Sequence, residues 1–200
     1  MAFTFFFRDG QTLDLIAQHV LPDLCKNMYI RIWDAGCAMG PEPYSLAIIL
    51  RESMGRFMFR NVKIHATDID ESDFGTTIAQ GSYPEAVLSG IPKDLFAKYF
   101  TPEGVPGNFQ ISDDLRQAVQ FQRHDLLSLE PVRNDFGLIV CKNVLLHFMP
   151  AERVQVIEMF HRALVDGGYF VTEQTQKMPV ELEHLFRPVT GAAQIYQKVA

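Results

Sequence analysis

The chain has 200 residues and a mass of 22.8 kDa, a length that favours a single domain over residues 1–200. Apolar residues make up 48% of it and charged residues 21%, the balance of a globular protein rather than a disordered one. Lys and Arg total 18 against 24 Asp and Glu, and the net charge of −6 argues against a nucleic-acid-binding protein.

Three further observations bear on the setting of the chain. Its longest apolar stretch, residues 136–149, is interrupted by polar residues and falls short of the roughly 18 residues of a membrane span. The opening residues lack the basic region of a signal peptide. Cys25, Cys37 and Cys141 form no CxxC pair, so neither a disulfide framework nor a metal site is predicted. We expect a reduced, cytoplasmic protein that is not integral to a membrane.

Short apolar runs alternate with longer helical segments, which is typical of folds built from βαβ units. The apolar spacing predicts, in chain order, a helix over 13–24, strands over 29–33, 62–67, 119–122, 136–141, 168–172 and 194–198, and helices from Pro41 and over 151–164. Gly167 and Gly168 are expected to end the last helix. Residues 81–116 are rich in turn signals and long for a connection, so we expect a small substructure there.

The loop after the first predicted strand has the spacing Asp34-x-Gly36-x-x-x-Gly40. Ligands of α/β sheets bind at the carboxyl ends of strands, where glycines permit close backbone approach. The pattern also fits an ordinary strand-to-helix turn. Asp68, at the end of the next strand, favours a cofactor because adenosine-binding folds hold ribose hydroxyls there. The loop is not GxGxxG and Asp68 lies late for a nicotinamide fingerprint, so another adenosine-containing cofactor ranks above NAD.

A third carboxylate, Asp125, follows the strand predicted over 119–122. It could accept a hydrogen bond from an adenine amino group while Leu126 packs on the ring. It could instead cap a helix that begins at Leu126. The sequence leaves both interpretations open.

Four motifs stand in order along the chain: Thr4-x-Phe6-Phe7-Arg8, Trp33-Asp34-Ala35-Gly36-Cys37-Ala38-Met39-Gly40-Pro41-Glu42-Pro43-Tyr44-Ser45, Ala66-Thr67-Asp68-Ile69-Asp70 and Cys141-Lys142-Asn143-Val144. Together they resemble the catalytic domain of the CheR-type chemotaxis receptor methyltransferases, which are protein-glutamate O-methyltransferases. The resemblance covers nearly the whole chain. It implies a Rossmann-like class I S-adenosylmethionine-dependent methyltransferase fold: an α/β fold with a seven-stranded, mostly parallel sheet and a small β-subdomain within 81–116.

The resemblance also implies S-adenosyl-L-methionine as cofactor, S-adenosyl-L-homocysteine as product, and the cytoplasmic domain of a bacterial chemoreceptor as protein substrate. We expect a monomer that binds no nucleic acid. Arg8 and His147 fall at the catalytic positions. With the glycine loop, the cofactor contacts are expected at Thr4, Arg8, Asp34, Gly36, Gly40, Glu42, Asp68, Asp125, Leu126, Lys142 and Asn143.

The chain departs from the family pattern at several positions. Pro41 replaces the first of two glutamates, and Ala2 stands where an asparagine is common. Lys142 replaces an arginine and so loses the planar fork that grips a carboxylate at two points. His147 stands where the family usually has a tyrosine. The family's helical N-terminal domain is not expected in this chain. These departures leave the cofactor prediction in place and open the question of the acceptor.

Each candidate residue also has a purely structural interpretation. Arg8 could be a surface residue beside Asp9, and Glu42 a favourable acid in the first turn of a helix. Asn143 could cap a helix. His147 could share a helical face with Asn143 and contact the acceptor, act as a base, or be a packed core residue. The phenylalanines of residues 3–7 could cover the cofactor pocket or fill the core.

Three functions are therefore carried forward. The first is methylation of glutamate carboxylates on a protein. The second keeps S-adenosylmethionine and changes the acceptor to an amine, a hydroxyl or a small acid, with His147 as base. The third is a regulatory module that binds S-adenosylmethionine or S-adenosylhomocysteine without turnover.

Overall fold

The computed structural model describes residues 4–69 and 73–199. The helices in these ranges are α1 (Gly10–His19), α2 (Leu21–Leu24), α3 (Pro41–Phe59), α4 (Phe74–Gln80), α5 (Glu85–Leu88), α6 (Lys93–Tyr99), α7 (Asp113–Ala118) and α8 (Pro150–Ala163). The strands are β1 (Ile30–Ala35), β2 (Val62–Asp68), β3 (Ser82–Pro84), β4 (Phe100–Pro102), β5 (Asn108–Ile111), β6 (Val119–Arg123), β7 (Phe136–Cys141), β8 (Leu164–Thr172), β9 (Phe186–Pro188) and β10 (Ile195–Lys198). Short 3₁₀ turns span Leu126–Ser128, Leu145–His147 and Val180–Leu185.

Seven strands form the main sheet in the order β6-β2-β1-β7-β8-β10-β9. The first five are parallel, and β10 runs antiparallel to both β8 and β9. This arrangement confirms the predicted seven-stranded, mostly parallel α/β sheet. Because β1, β2, β6 and β7 run in the same direction, their carboxyl ends meet at one edge, where α/β proteins bind ligands.

Both faces of the sheet are covered, and the central strand β1 shows how. Ile30 and Ile32 are buried in the hydrophobic cluster on one face, which includes residues of α1 and α3. Trp33 and Ala35 belong to the cluster on the other face, which includes residues of α8. Successive side chains of a strand point to opposite faces, so β1, which is buried along almost its whole length, suits this doubly covered position.

The chain turns from β1 into α3 through a loop with two glycines of positive φ, Gly36 and Gly40, both at 103°. This region of φ is readily open only to glycine. Pro41 follows at the first helical position, where its missing N–H leaves no bond unmade. The helix is longer than its apolar pattern indicated and contains a break at Gly55. Because only residues 36–40 separate the two elements, the N-terminus of α3 lies beside the carboxyl end of β1.

The turn-rich stretch 81–116 contains a second, three-stranded antiparallel sheet in the order β3-β5-β4. The predicted small substructure is thereby confirmed. Tyr83 of β3 is buried, and its hydroxyl donates to the carbonyl of Met39 in the glycine loop at 2.8 Å. The small sheet is thus bonded directly to the loop that follows β1.

Three local predictions were wrong. The helix expected over 13–24 is two helices, because Pro22 has no N–H for a continuous ladder and stands in the first turn of α2. Gly167 and Gly168 do not end α8; the chain enters β8 directly at Leu164, and both glycines lie within the strand, where its register with β7 shifts. Strand β9 was not predicted from the sequence.

Among the described residues, none of the helices combines the length and apolar character needed to cross a membrane.

Candidate functional site

A cavity of about 620 Å³ lies at the carboxyl ends of β1, β2, β6 and β7, a volume typical of small-molecule sites. It brings together residues from five separate segments of the sequence. The predicted site residues that line it are Thr4, Arg8, Gly36, Glu42, Asp68, Asp125, Leu126, Lys142, Asn143 and His147. Ala2, Phe3 and Asp70, which also figured in the sequence analysis, lie outside the described residues.

Residues 4–9, which we call the strap, form part of the wall. Phe6 is fully buried, and its ring meets those of Tyr83 and Phe100 edge-on at centroid distances of 5.0 and 5.4 Å. Its N–H donates to the carbonyl of Val87 at 3.1 Å. Phe5 instead lines the cavity. The phenylalanine cluster therefore divides between core and cavity, and the small sheet holds the strap through Phe6.

Lys142 is the centre of a buried charged group. Its side chain is only 3% exposed, and its Nζ lies 3.1 Å from Glu42 Oε1 and 3.4 Å from Asp9 Oδ2. Burial lowers the pKa of Lys142, but the Glu42 and Asp9 carboxylates outweigh it, and the pKa lies above its usual value. Lys142 is therefore a buried cation whose charge is balanced by carboxylates on two sides.

Asp68 is held by the loop that follows β1. Its Oδ2 accepts a hydrogen bond from the N–H of Ala38 at 2.9 Å. The N–H groups of Gly36 and Cys37 donate to the carbonyl of Thr67 at 2.7 and 3.0 Å. The end of β2 and the glycine loop are thus joined by three backbone donors, which fix the Asp68 carboxylate at the cavity wall.

The capping interpretation of Asp125 is confirmed, and its contact with an adenine amino group stays a prediction. Its Oδ1 accepts from the N–H of Leu127 at 2.9 Å and so caps the 3₁₀ turn over Leu126–Ser128, and it also lines the cavity. His124 lines the cavity too, with its ring edge-on to Trp33 at 5.6 Å. Burial lowers the pKa of His124, and Asp125 opposes this. Sequence reasoning missed His124, whose one signal is its place directly before Asp125.

Asn143 and His147 reach the cavity by a different route from the one expected. No helix begins at Asn143, which has a φ of 60°; only Leu145–His147 forms a 3₁₀ turn. The shared helical face was therefore wrong. The N–H of Asn143 donates to Glu173 Oε2 at 2.9 Å, so a buried carboxylate at the end of β8 holds this bend. His147 is exposed at the cavity wall.

Among the described residues, Asp34 and Gly40 are the two predicted site residues that do not line the cavity. A Cβ at Gly40 would collide with the hydroxyl of Tyr83 and the side chain of Ile78, so this glycine serves packing against the small sheet. A Cβ at Gly36 would collide with Val144, itself part of the cavity wall. Gly36 lines the cavity, so its close approach to a ligand stays a prediction, whereas Gly40 does not line the cavity.

Asp34 is completely buried, and neither of its carboxylate oxygens has a hydrogen-bond partner among the described residues. Burial raises its pKa well above the usual value near 3.8. Glu42 raises it further, Lys142 opposes, and Asp68 adds to the increase. Asp34 therefore retains its proton to a higher pH than an exposed aspartate does.

The rest of the wall is largely apolar and was not predicted residue by residue. Most of these residues are sequence neighbours of predicted ones, which is the signal that could have found them. They are Phe5, Leu13, Cys37, Ala38, Ser45, Thr67, Ile69, His124, Leu127, Val144, Leu146 and Phe148. Cys37, expected to be a packing residue, is buried and lies in the wall as well.

The residues present fit S-adenosylmethionine, whose sulfonium and ammonium are cationic. The wall supplies carboxylates at three separate places, Glu42, Asp68 and Asp125, with apolar surface between them. Carboxylates accept hydrogen bonds from ribose hydroxyls, an ammonium and an adenine amino group. In residues 4–69 and 73–199, no group of three or more His, Cys, Asp or Glu side chains could hold a metal ion.

The family described as "CheR methyltransferase, SAM binding domain" matches residues 2–195. A chemotaxis protein methyltransferase of Borreliella burgdorferi is 34% identical over 177 residues, covering 84% of this chain and 62% of the relative. A probable chemotaxis protein methyltransferase of Rhizobium etli is 28% identical over 190 residues, covering 92% and 70%. An uncharacterized 104.1 kDa protein of Rhodobacter capsulatus is 30% identical over 199 residues, covering 97% and 20%.

The chain thus spans a fifth of the Rhodobacter protein and about three fifths of several chemotaxis methyltransferases. Solved structures are similar at lower identity. The N-methyltransferase NodS of Bradyrhizobium japonicum, in complex with S-adenosylhomocysteine, is 14% identical with a TM-score of 0.46, covering 81% of this chain and 59% of that one. The [4+2]-cyclase SpnF is 18% identical with a TM-score of 0.46, covering 81% and 43%. The assignment rests on the family match and not on these likenesses.

Proposed function

Because the chain belongs to the CheR methyltransferase family and contains its S-adenosylmethionine-binding domain, we propose that it methylates glutamate side-chain carboxylates of a protein in the cytoplasm. The acceptor we propose is the cytoplasmic domain of a bacterial chemoreceptor, and the product is a glutamate methyl ester. One observation supports this choice of acceptor above others. Arg8, a cation suited to a carboxylate, lines the same cavity as the residues suited to the cofactor.

The cofactor contacts follow from the chemistry of the wall. Asp68 accepts hydrogen bonds from the ribose hydroxyls. Asp125 accepts a hydrogen bond from the adenine amino group, while Leu126 packs on the adenine ring. Glu42 faces the amino group of the methionine part, and Lys142 its carboxylate. Thr4, Arg8, Gly36 and Asn143, which line the same cavity, complete the set. When bound, S-adenosylmethionine supplies an electrophilic methyl group on a sulfonium sulfur.

The acceptor needs positioning more than activation. A glutamate side chain has an ordinary pKa of roughly 4.3, so it is ionised at neutral pH and requires no general base. Arg8 orients this carboxylate by a bidentate contact, which places one oxygen in line with the methyl carbon. The apolar parts of the wall exclude water, which favours a reaction in which opposite charges are neutralised.

His147 stands at the exposed side of the same wall. We assign it to a hydrogen bond with the acceptor carboxylate, the place that the resemblance gives to a tyrosine. The same residue would serve as a base if the acceptor were an amine or a hydroxyl. This second function keeps the cofactor and differs in the stability of the product to alkali.

The test is a methylation assay with methyl-labelled S-adenosylmethionine and membranes that carry chemoreceptors of the source organism. Methyl esters release methanol in alkali, and we expect base-released methanol from the receptor band. Arg8→Lys keeps the charge and loses the fork, so methanol release should fall by about 30-fold, more than the affinity for S-adenosylhomocysteine falls. Arg60→Lys, at an exposed arginine after α3, is the matched control and should change neither quantity.

Other outcomes select other functions. Label in a base-stable product would favour an amine acceptor, and His147→Phe should then remove activity that Arg8→Lys retains. Calorimetric binding of S-adenosylhomocysteine without any labelled product would favour the regulatory module. Either result would contradict glutamate methylation.

A further inference from the structure

Arg8 is bracketed by two non-glycine residues in the left-handed region, Phe7 with a φ of 56° and Asp9 with a φ of 59°. Such backbone is sparsely populated and persists where the surroundings hold it. The N–H of Phe7 donates to Ser45 Oγ at 2.9 Å, which secures one side of Arg8 to α3. On the other side of Arg8, the next residue is Asp9, whose carboxylate is bonded to α1 and lies beside Lys142.

Both oxygens of Asp9 are engaged. Oδ1 accepts from the N–H of Thr12 at 3.4 Å and caps α1, while Oδ2 lies 3.4 Å from Lys142 Nζ. Lys142 in turn lies 3.1 Å from Glu42 Oε1. The buried ammonium is therefore shared between the strap and the residue we assign to the cofactor's amino group. Asp9 itself, 26% exposed in its side chain, is absent from the wall formed by the described residues.

We propose that Asp9 is a positioning residue that couples the two substrates: through Lys142 it ties the strap to Glu42, so that an assembled cofactor site holds Arg8 in place for the acceptor. This inference rests on the proposed function for the identity of the acceptor. A ligand that contacts Glu42 and Lys142 fixes the partner of Asp9 and thereby the strap. An acceptor-clamping arginine on an untied strap would be less often in position.

Asp9→Asn separates the ion pair from the other roles of Asp9. Asparagine caps helices as well as aspartate does, and it tolerates the left-handed region. The variant therefore loses the charge that pairs with Lys142 and keeps the cap and the backbone. Asp14→Asn is the matched control, because Asp14 is an exposed carboxylate on the same helix. Lys142→Arg retains the cation and should keep the coupling.

The first measurement is amide hydrogen exchange of a peptide spanning residues 4–12, with and without S-adenosylhomocysteine. It needs no acceptor. In the wild type, in Asp14→Asn and in Lys142→Arg, S-adenosylhomocysteine should slow exchange of this peptide. In Asp9→Asn that slowing should be lost, while calorimetric affinity for S-adenosylhomocysteine changes by less than about threefold.

The second measurement is steady-state methylation, in which Asp9→Asn should raise the KM for the acceptor about tenfold relative to Asp14→Asn. Exchange and KM equal to those of Asp14→Asn would overturn the proposal. So would a parallel fall in S-adenosylhomocysteine affinity and thermal stability, which marks a merely structural residue. If the wild type methylates no glutamate, the proposed function fails, and the exchange experiment alone decides whether Asp9 couples the strap to the cofactor site.

Discussion

The two ends of the cavity are built from different kinds of contact. At one end, Lys142, Glu42 and Asp9 hold each other by side chain–side chain pairing. At the other, Asp68 and Asp125 each accept a hydrogen bond from a backbone N–H, of Ala38 and of Leu127. We call these the paired end and the backbone-held end.

The difference determines how damage spreads. Removing Lys142, the centre of the paired end, leaves two carboxylates without their shared cation, so the loss extends beyond one contact. A carboxylate removed from the backbone-held end costs its own hydrogen bonds and leaves a backbone donor for water or a neighbour. Substitutions at the two ends should therefore differ in size and in what they disturb.

The largest effect is expected for Lys142→Met. It leaves Glu42 and Asp9 facing each other across an apolar side chain, and should lower the free energy of unfolding by about 3 kcal/mol and methylation by at least about 100-fold. Chemical denaturation and the methanol assay measure the two. Lys26→Met, which breaks the exposed pair with Asp23, is the control and should change little. If Lys142→Met lost no more stability than Lys26→Met, this would contradict the claim that the ion pairs of the paired end stabilise the fold.

Asp34, near both ends, gives a pH-dependent effect. Its pKa is raised on folding, chiefly by burial, so the folded chain keeps a proton that the unfolded chain releases above a pH of about 3.8. This contribution to stability is lost as pH rises above that value, by up to about 1.4 kcal/mol per pH unit. Asp34→Asn has no proton to lose.

The stability of Asp34→Asn relative to the wild type should therefore increase with pH. Denaturation midpoints at pH 5, 6, 7 and 8 measure this difference. Asp14→Asn, at an exposed site, should show no such trend. A difference that is constant across the series would show that burial of Asp34 does not couple its proton to folding.

A smaller effect is expected at the backbone-held end. Asp68→Ala should weaken the binding of S-adenosylhomocysteine by about 30-fold, or about 2 kcal/mol, because two ribose hydroxyls lose a charged hydrogen-bond acceptor. Stability should change less than in Lys142→Met. Calorimetry and denaturation check both statements. Unchanged affinity would remove Asp68 from the cofactor site.

The smallest effect is expected for Asp125. Asp125→Ala removes the cap of a three-residue turn and one adenine contact. It should weaken the binding of S-adenosylhomocysteine about fivefold, or about 1 kcal/mol. Asp125→Asn keeps an acceptor oxygen for both and should cost less than twofold. If both variants lost affinity equally, the charge of Asp125 would matter more than its hydrogen bonds.

The fold was predicted where local patterns were strong. The strand over 136–141 matches β7, and Pro41 opens α3 as expected, because a buried apolar run and an N-terminal proline are local signals. The interpretation in which Asn143 and His147 share a helical face was wrong, because only Leu145–His147 forms a 3₁₀ turn, after a left-handed bend. Apolar spacing cannot report such a bend.

The site followed the same division. The motifs identified Glu42, Asp68 and Lys142 as members of one cavity. They did not show that Lys142 pairs with Asp9, or that Glu173 holds Asn143, because these partners are far apart in the sequence and meet through the sheet. Residue type predicted what could bind a cofactor, and the tertiary fold determined which of those residues bind each other.

Tyr83 has a consequence for how this protein can change over evolution. Its hydroxyl fills the space beside Gly40 and bonds to Met39, while its ring packs on Phe6 of the strap. Replacing the small sheet by recombination would therefore disturb the glycine loop and the strap. A chimera that carries a different small sheet must keep a tyrosine at position 83 or change the glycine loop. The part of the small sheet that is free to diversify is therefore its outer side, away from the contacts with Met39, Gly40 and Phe6.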